Sequence, residues 1–309
     1  MIKDFRDGTT VEDEKFLIST CTKGVSTSGQ TYLNIILQDS SGNIEAKLWN
    51  ATEEDILLFS PGNILLIDGT VLKFKDKLQL KIEAASYIDP DFEDLTLYVP
   101  TSDFSADELK KGFTELRNKV TDKELLSVLD DIYKRHFEEI FAYPAAVRNH
   151  HAYSRGLITH MISVAQIADF LGDHYTKVNK SLVIVGALLH DVGKIVEFSS
   201  PLIPKYTTEG NLIGHIQIGY FEVSQTCRKL NISEQNRLML EHIILSHHGH
   251  HEFGSPVEPM TIEAMIVATA DELDAKINFM QKTMDDMSEG EFSQRLFQLG
   301  DRQIYKPKK

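Results

Sequence analysis

Residues 181–190 read SLVIVGALLH and are followed directly by Asp191. A helix that is apolar on all sides is buried, so this segment predicts a core helix that ends in a histidine and an aspartate. Burying a carboxylate is costly unless the group is paired or binds a metal, and histidine with aspartate favours a borderline or hard divalent cation. Taken alone, a solvated His-Asp pair capped by Gly193 would explain the same sequence.

Further histidines and a second carboxylate lie on neighbouring segments. Asp271 ends the apolar run MIVATAD, and His160 begins a segment whose apolar residues recur at helical spacing. The other candidates fall on or beside the helices predicted between them, namely His215, His242, His247 and His248. Each alone would be an ordinary core or surface residue. Together, on elements that must pack against one another, they are better explained by a pair of divalent ions.

The N-terminal part has a different pattern. All 12 histidines lie between His136 and His251, which indicates that the first 135 residues have a separate role. Short apolar runs broken by turn residues predict five strands there, and a short acidic helix is predicted between the third and the fourth at residues 51–60. The predicted strands are residues 16–20, 31–38, 44–49, 64–73 and 78–84. This order is typical of an OB-fold barrel, a common binder of oligonucleotides.

The predicted fold class is therefore multidomain, with an N-terminal all-β OB-like barrel followed by an all-α domain. We place the barrel at residues 1–90, a linker at 91–104, the helical domain at 105–300 and a frayed tail at 301–309. No apolar run approaches the roughly 18 residues of a membrane span, and the N-terminus lacks the apolar core of a signal peptide. We expect a cytoplasmic protein with no membrane partner.

The net charge of −14 is the wrong sign for a protein that coats nucleic acid through bulk positive charge. Any such contact needs a local basic surface or bound cations. Four residues of the predicted fourth-to-fifth strand hairpin offer such a surface, namely Lys73, Phe74, Lys75 and Lys77, and Tyr32 and Trp49 offer stacking faces elsewhere. Alternating lysines also occur on solvated strands, and Trp49 would equally suit the barrel core.

His160, His190-Asp191 and Asp271 resemble the H…HD…D signature of HD-domain metal phosphohydrolases, over about residues 140–280. The histidines between the last two motifs resemble the second-metal ligands of the HD subgroup that carries two ions. With an OB-like domain ahead, and with the segments HHAYSRGLITH and SHHGHHEFGSP, nearly the whole chain is similar to the YhaM family of bacterial exoribonucleases.

The resemblance implies a hydrolase, a 3′–5′ exoribonuclease that acts on single-stranded RNA, with single-stranded DNA as a further substrate. It implies two divalent ions per active site, with Mn²⁺ expected and Co²⁺, Fe²⁺ or Mg²⁺ as alternatives. One ion would be held by His160, His190, Asp191 and Asp271, and Asp191 would bridge to a second ion held by His215, His242 and His247. A homo-oligomer is compatible with the acidic surface.

The resemblance also assigns roles toward the substrate. Lys194 would act beside Asp191 and contact the scissile phosphate, although a surface lysine at a helix end explains it equally. Three further residues are expected to contact the substrate, namely His151, Arg155 and His248. For His248 a place among the ligands of the second ion stays open, because some relatives use both histidines of such a pair. In a two-metal mechanism the ions neutralise the phosphodiester, lower the pKa of a bridging water and stabilise the leaving 3′ oxygen.

Two alternatives remain open at this point. One is an HD-domain nucleotide phosphohydrolase or phosphodiesterase with a regulatory barrel, although the stretch HHGHHEFGSPVEP differs from the DG…GYP-type stretch of cyclic dinucleotide phosphodiesterases. The other is a non-catalytic RNA-binding module. Its weakness is the intact set of ligands, because an active site that has lost its function usually loses some of them.

Overall fold

The computed structural model describes residues 1–26, 29–75, 77–89, 97–99, 102, 104–146, 154–201, 203–285 and 287–308. The chain divides into two compact units, Met1–Thr101 and Ser102–Lys309. The division falls inside the predicted linker.

The N-terminal unit is a closed five-stranded barrel with the strand order β1-β2-β3-β5-β4. Its strands are β1 (Thr10–Val25), β2 (Thr31–Asp39), β3 (Gly42–Trp49), β4 (Ile64–Phe74) and β5 (Lys77–Ile88), and helix α1 (Glu53–Leu58) lies between β3 and β4. All neighbouring strands are antiparallel except β3 and β5, which are parallel. The OB-type order predicted from the sequence is confirmed.

Alternation of side chains places the barrel core. Leu33, Ile35 and Leu37 of β2 are buried at every second position, as expected for a strand with one face toward the core. Thr52 begins α1 through a capping box with Asp55, which satisfies backbone amides that the helix leaves unpaired. The strands extend beyond the predicted ranges because their ends carry charged residues that do not form apolar runs.

The second unit is helical. Its helices are α2 (Ala106–Asn118), α3 (Lys123–Ala142), α4 (Gly156–His174), α5 (Lys180–Leu189), α6 (Lys194–Glu197), α7 (Thr208–Ile213), α8 (His215–Lys229), α9 (Glu234–Ser246) and α10 (Ile262–Asp285). The sequence SLVIVGALL of α5 is buried throughout and packs against α4, α9 and α10. Gly186 permits the contact with α9, because a Cβ there would lie 2.8 Å from Ile243 Cγ2. The core helix is therefore confirmed.

The end of the chain packs instead of fraying. Leu296, Leu299 and Ile304 form a small core against residues at the end of α10. The Lys306 ammonium donates to the carbonyl oxygens of Met284 and Met287, both at 2.7 Å. The expectation of a frayed tail at 301–309 is thus not met for residues 301–308, because Ile304 and the Lys306 ammonium hold this segment to the end of α10.

Within the described ranges, no helix combines the length and the apolar composition that crossing a bilayer requires.

Asp169 is a buried carboxylate that links helices of this unit. It pairs with the ammonium groups of Lys119 at 2.5 Å and Lys180 at 2.8 Å. Burial by itself would raise the pKa of Asp169, but the two lysines outweigh it and lower the pKa. The stabilisation is present above the pKa of the unfolded state, about 3.9, and is lost as the pH falls through the lower pKa of the folded state.

We expect Asp169→Asn to lower the free energy of unfolding at pH 7 by about 2 kcal/mol, because it leaves charged donors without their acceptor. Urea unfolding from pH 7 to pH 3 should show the difference from wild type shrinking as the pH falls. Asp173→Asn is the matched control, since Asp173 also pairs with Lys180 but is exposed. Equal losses in the two variants, or a difference that does not change with pH, would contradict the prediction.

Candidate metal centre

Helix ends and inner faces meet at one buried point of the second unit. His160 lies on α4 and Asp271 on the buried side of α10, while His190 and His247 cap the C-terminal ends of α5 and α9. His215 is the first residue of α8. Three overlapping groups result, and within each the ligand atoms lie within 4.8 Å of one another: His160, His190 and Asp191; His190, His247 and Asp271; Asp191, His215, His247 and His248.

The two carboxylate oxygens of Asp191 face different histidines. Its Oδ2 lies 3.3 Å from His190 Nε2 and 3.5 Å from His160 Nε2. Its Oδ1 lies 3.5 Å from His215 Nε2 and 3.7 Å from His247 Nε2. Asp191 therefore stands between two sets of imidazoles, as a carboxylate shared by two ions would.

Each histidine of the cluster has its Nδ1 held by a protein oxygen. The acceptors are carboxylates for His160 and His215 and backbone carbonyls for the others: Asp274 at 2.7 Å, Glu197 at 3.0 Å, Ala187 at 2.7 Å, Ile244 at 2.7 Å and Phe253 at 2.8 Å. Backbone carbonyls and ionised carboxylates only accept hydrogen bonds, so each Nδ1 carries the proton. The Nε2 atoms are thereby aimed into the cluster, as in metal sites whose outer contacts orient the ligands.

Three atoms of the cluster are buried and have no hydrogen-bond partner among the described residues, namely Asp191 Oδ1, His215 Nε2 and His247 Nε2. Leaving buried polar atoms without partners is costly and rare in folded proteins. Because the three atoms point toward one another, a cation between them would satisfy all three. The donor set, imidazole nitrogen with carboxylate oxygen, fits a divalent transition metal.

The electrostatics of the cluster separate its members. Burial works to lower the pKa of His160, but hydrogen bonds to Asp271 and Asp274 raise it to about 9. Burial lowers the pKa of His247 and His248, so both are neutral at pH 7. Burial would raise the pKa of Asp191, yet Lys194 and His190 hold it well below the usual range. The Asp191 carboxylate is therefore ionised, and His247 and His248 are neutral, as metal binding requires of its ligands.

Two family models match the chain. The HD domain matches residues 157–276, and the OB-fold nucleic acid binding domain matches residues 17–87. The 3'-5' exoribonuclease YhaM of Bacillus subtilis (strain 168) is 36% identical over 296 residues, which cover 96% of this chain and 94% of the relative. That of Listeria welshimeri is 36% identical over 305 residues, covering 98% of this chain and 97% of the relative. This chain belongs to the YhaM family.

A solved structure, the HD domain of the phosphodiesterase PgpH of L. monocytogenes, covers 38% of this chain and 66% of its own at 20% identity, with a TM-score of 0.27. A similarity this low adds nothing to the full-length relatives. The predicted combination of an OB fold with an HD domain, and the predicted YhaM family, are confirmed by the matches over the whole chain.

Two carboxylates behind the histidines of this site, Asp274 and Glu197, were not predicted from the sequence. Asp274 lies three residues beyond Asp271, which places it one helical turn further on the same side of α10. Besides His160 it accepts a hydrogen bond from Ser163. Glu197 binds both the backbone amide and the Nδ1 of His215, at 3.1 and 3.0 Å. The signal for Asp274 was available in its spacing, but Glu197 is recognisable only once α6 and α8 are packed together.

Gly193 has a role other than capping a helix. Its φ of −64° is ordinary, but a Cβ at this position would lie 2.1 Å from the carbonyl oxygen of His215. The missing side chain lets the start of α8 pass directly over the turn that follows Asp191. The motif HDVGK thus brings His215 to Asp191 through backbone packing.

His242 lies apart from the cluster. It is five residues before His247, which turns it about 140° around α9, and its Nε2 accepts a hydrogen bond from the Met260 amide at 2.9 Å. His248, expected to contact the substrate, lies instead in the group with Asp191, His215 and His247. The geometry therefore favours His248 over the predicted His242 as the remaining ligand.

The other predicted residues of this site are placed as follows. Lys194 is buried, and its ammonium lies 2.7 Å from Asp191 Oδ2. It also lines a cavity of about 360 Å³ beside the cluster. Arg155 precedes α4 with a left-handed φ of 63° and is not among the cavity's described lining residues. His151 lies outside the described residues.

The barrel carries an aromatic pair on its surface. The rings of Tyr32 and Trp49 are 5.1 Å apart, and the Lys47 ammonium lies 4.9 Å from the first and 5.2 Å from the second. Trp49 is 44% exposed, so it is not a core residue. Gly24 makes room for the Tyr32 ring, which a Cβ would approach to 2.4 Å. We call Tyr32, Lys47 and Trp49 the barrel platform.

The predicted hairpin residues lie on a second exposed surface. Lys73 and Phe74 end β4 and Lys77 begins β5. Phe74 is 56% exposed, and the Lys75 ammonium lies 5.5 Å from the centre of its ring. The role of this hairpin in RNA binding stays a prediction.

We expect His248→Ala to lower the metal content of the purified protein, because losing one ligand or its support typically costs 10–100-fold in metal affinity. His242→Ala is the matched control and should retain the wild-type metal content, measured by mass spectrometry after dialysis against a weak chelator. The opposite ranking would restore His242 as the ligand and would contradict the geometry.

Proposed function

We propose that this chain is a divalent-metal-dependent 3′–5′ exoribonuclease that hydrolyses phosphodiester bonds of single-stranded RNA with two ions. The observation that carries the two-ion part is Asp191, whose two oxygens face separate groups of imidazoles. The polarity and the RNA substrate are supported by the relatives named 3'-5' exoribonuclease over 94% or more of their own length.

The residues divide between the two ions in a simple way. His160, His190 and Asp271 would hold one ion on the Oδ2 side of Asp191, and His215, His247 and His248 would hold the other on the Oδ1 side. Bound ions of this kind neutralise a phosphodiester and lower the pKa of an attacking water toward 7. Asp274 and Glu197 keep two of the imidazoles oriented and raise their basicity.

Lys194 links the ligands to the substrate side. Burial works against its charged form, but Asp191 outweighs this and raises the pKa of Lys194, so the ammonium is retained. Because it lines the cavity as well, we propose that it also contacts the scissile phosphate. Arg155 and His151 remain proposed substrate contacts, on the sequence resemblance alone.

Five imidazoles in the site favour a borderline metal over Mg²⁺, which prefers oxygen ligands. On the sequence resemblance we propose Mn²⁺ as the working metal; Co²⁺ and Fe²⁺ are the alternatives, and single-stranded DNA is a proposed second substrate. A cytoplasmic location is proposed with the function.

In this proposal the barrel binds the single-stranded RNA substrate. Single-stranded nucleic acids are bound by aromatic side chains on which bases stack, with positive charge nearby for the phosphates. The barrel platform has both features already assembled. The hairpin of Lys73, Phe74, Lys75 and Lys77 offers a second surface of the same chemistry.

The activity can be tested with 5′-labelled single-stranded RNA and metal-stripped protein. We expect decay only after Mn²⁺ or a similar ion is restored, with products that shorten from the 3′ end. Asp191→Asn should slow the reaction at least 100-fold, because it loosens both ions, and it also excludes a contaminating nuclease. Intact RNA with every metal, together with hydrolysis of mononucleotides, would replace the exonuclease by a nucleotide phosphohydrolase.

We expect Trp49→Ala to weaken RNA binding about tenfold, since stacking contributes roughly 1–3 kcal/mol per base. Binding would be measured by fluorescence anisotropy in the Asp191→Asn background, which prevents cleavage. Leu57→Ala is the control, because Leu57 is an exposed apolar residue of α1 outside the platform. If Trp49→Ala binds like wild type while Phe74→Ala does not, the RNA lies on the hairpin instead.

A further inference from the structure

The cavity beside the metal cluster has two chemically different halves. One half is formed by the proposed metal ligands and Lys194. The other is apolar, and its walls are Phe253, Ala275, Phe279 and Leu299. The proposed chemistry uses only the first half.

Helix α10 connects the two halves. Asp271, Ala275 and Phe279 recur at every fourth residue, so they lie one above another on one face of the helix. From Asp271 to Phe279 the helix rises about 12 Å, comparable to the length of one nucleotide. The small side chain of Ala275 leaves the space between the metal end and the ring of Phe279.

The C-terminal segment builds the far wall. Leu299 lines the cavity and is buried, and it belongs with Leu296 and Ile304 to the small core against which Phe279 packs. The same Phe279 is therefore fixed from behind by the C-terminal residues and borders the cavity in front. Phe253 adds a second ring from the turn after α9, and its backbone carbonyl orients His248.

We propose that this apolar half binds the base of the 3′-terminal nucleotide while its 5′-phosphate lies at the metal cluster. The inference rests on the proposed function for the identity of the phosphate. Nucleobases stack on aromatic rings irrespective of their sequence, so a phenylalanine-lined pocket accepts any base. A volume of about 360 Å³ is near the lower end for ligand pockets and suits a ligand of the size of one nucleotide.

The polar rim of this half supplies hydrogen-bonding groups. Glu272 and Lys276 form an ion pair on α10, and Gln298 adds an amide from the C-terminal segment. Carboxylate, ammonium and amide groups can bind ribose hydroxyls or base edges. The base of the terminal nucleoside would thereby contact the apolar walls, and its hydroxyls or base edges would contact the polar rim.

The test compares the binding of AMP and ribose 5-phosphate to the Mn²⁺-loaded full chain by calorimetry. Both carry the phosphate, and only AMP carries a base. Wild type should bind AMP about tenfold more tightly. Phe279→Leu, which keeps the apolar packing, should reduce this preference and leave the Kd for ribose 5-phosphate unchanged. Phe297→Ala is the matched control, because Phe297 is 86% exposed and lies beside Leu299 without lining the cavity.

Equal affinity of wild type for the two compounds would overturn the proposal. So would a Phe279→Leu variant that binds AMP and ribose 5-phosphate more weakly by the same factor. The result is separable from the exonuclease proposal. If the protein degrades RNA without preferring AMP, the base site is contradicted and the exonuclease proposal stands. If it prefers AMP through Phe279 but leaves RNA intact, the base site stands and the exonuclease proposal is contradicted.

Discussion

The structure of the helical unit depends on one buried carboxylate. Asp191 follows a helix whose residues 181–189 are all buried, and it is almost completely inaccessible itself. A lone charge there would cost several kcal/mol, so its neighbours must compensate. Lys194 neutralises one oxygen, while the other faces imidazoles that have no hydrogen bond to give it. The packing of α4, α8, α9 and α10 around Asp191 brings together the ligands that a cation site needs.

Much of this arrangement could be predicted from the sequence because its signals are local. An apolar helix that ends in His190 and Asp191 is recognisable within a dozen residues, and so is the alternation of Leu33, Ile35 and Leu37. The five-residue spacing from His242 to His247 turns His242 away from the cluster, and this rotation can be worked out once α9 is known to be helical. The position of His248 cannot be worked out in this way. It depends on the turn beyond α9, where the Phe253 carbonyl accepts a hydrogen bond from His248 Nδ1.

The C-terminal segment shows the same limit more clearly. Residues 301–308 contain one strongly apolar side chain, Ile304, among charged and polar ones, so composition alone predicts fraying. Its order comes from the end of α10, where Phe279, Met280 and Met284 pack against the small core that includes Ile304. Helix ends expose carbonyl oxygens that need donors, and Lys306 provides one. Only the packed structure shows that this segment is held against the end of α10 by Ile304 and Lys306.

The charge of the centre links metal binding to the choice of substrate. Four carboxylates lie in or directly behind the cluster, Asp191, Asp271, Asp274 and Glu197, and the cavity-lining lysine that pairs with Asp191 is Lys194. Without cations this region is negative, in a chain whose net charge is already −14, and it would repel a phosphodiester. Two divalent cations would reverse the sign locally and leave the rest of the surface acidic. Phosphate would then be attracted to the point where it can be cleaved, as well as to the few lysines of the barrel platform and the hairpin, so an acidic protein can act on RNA without coating it.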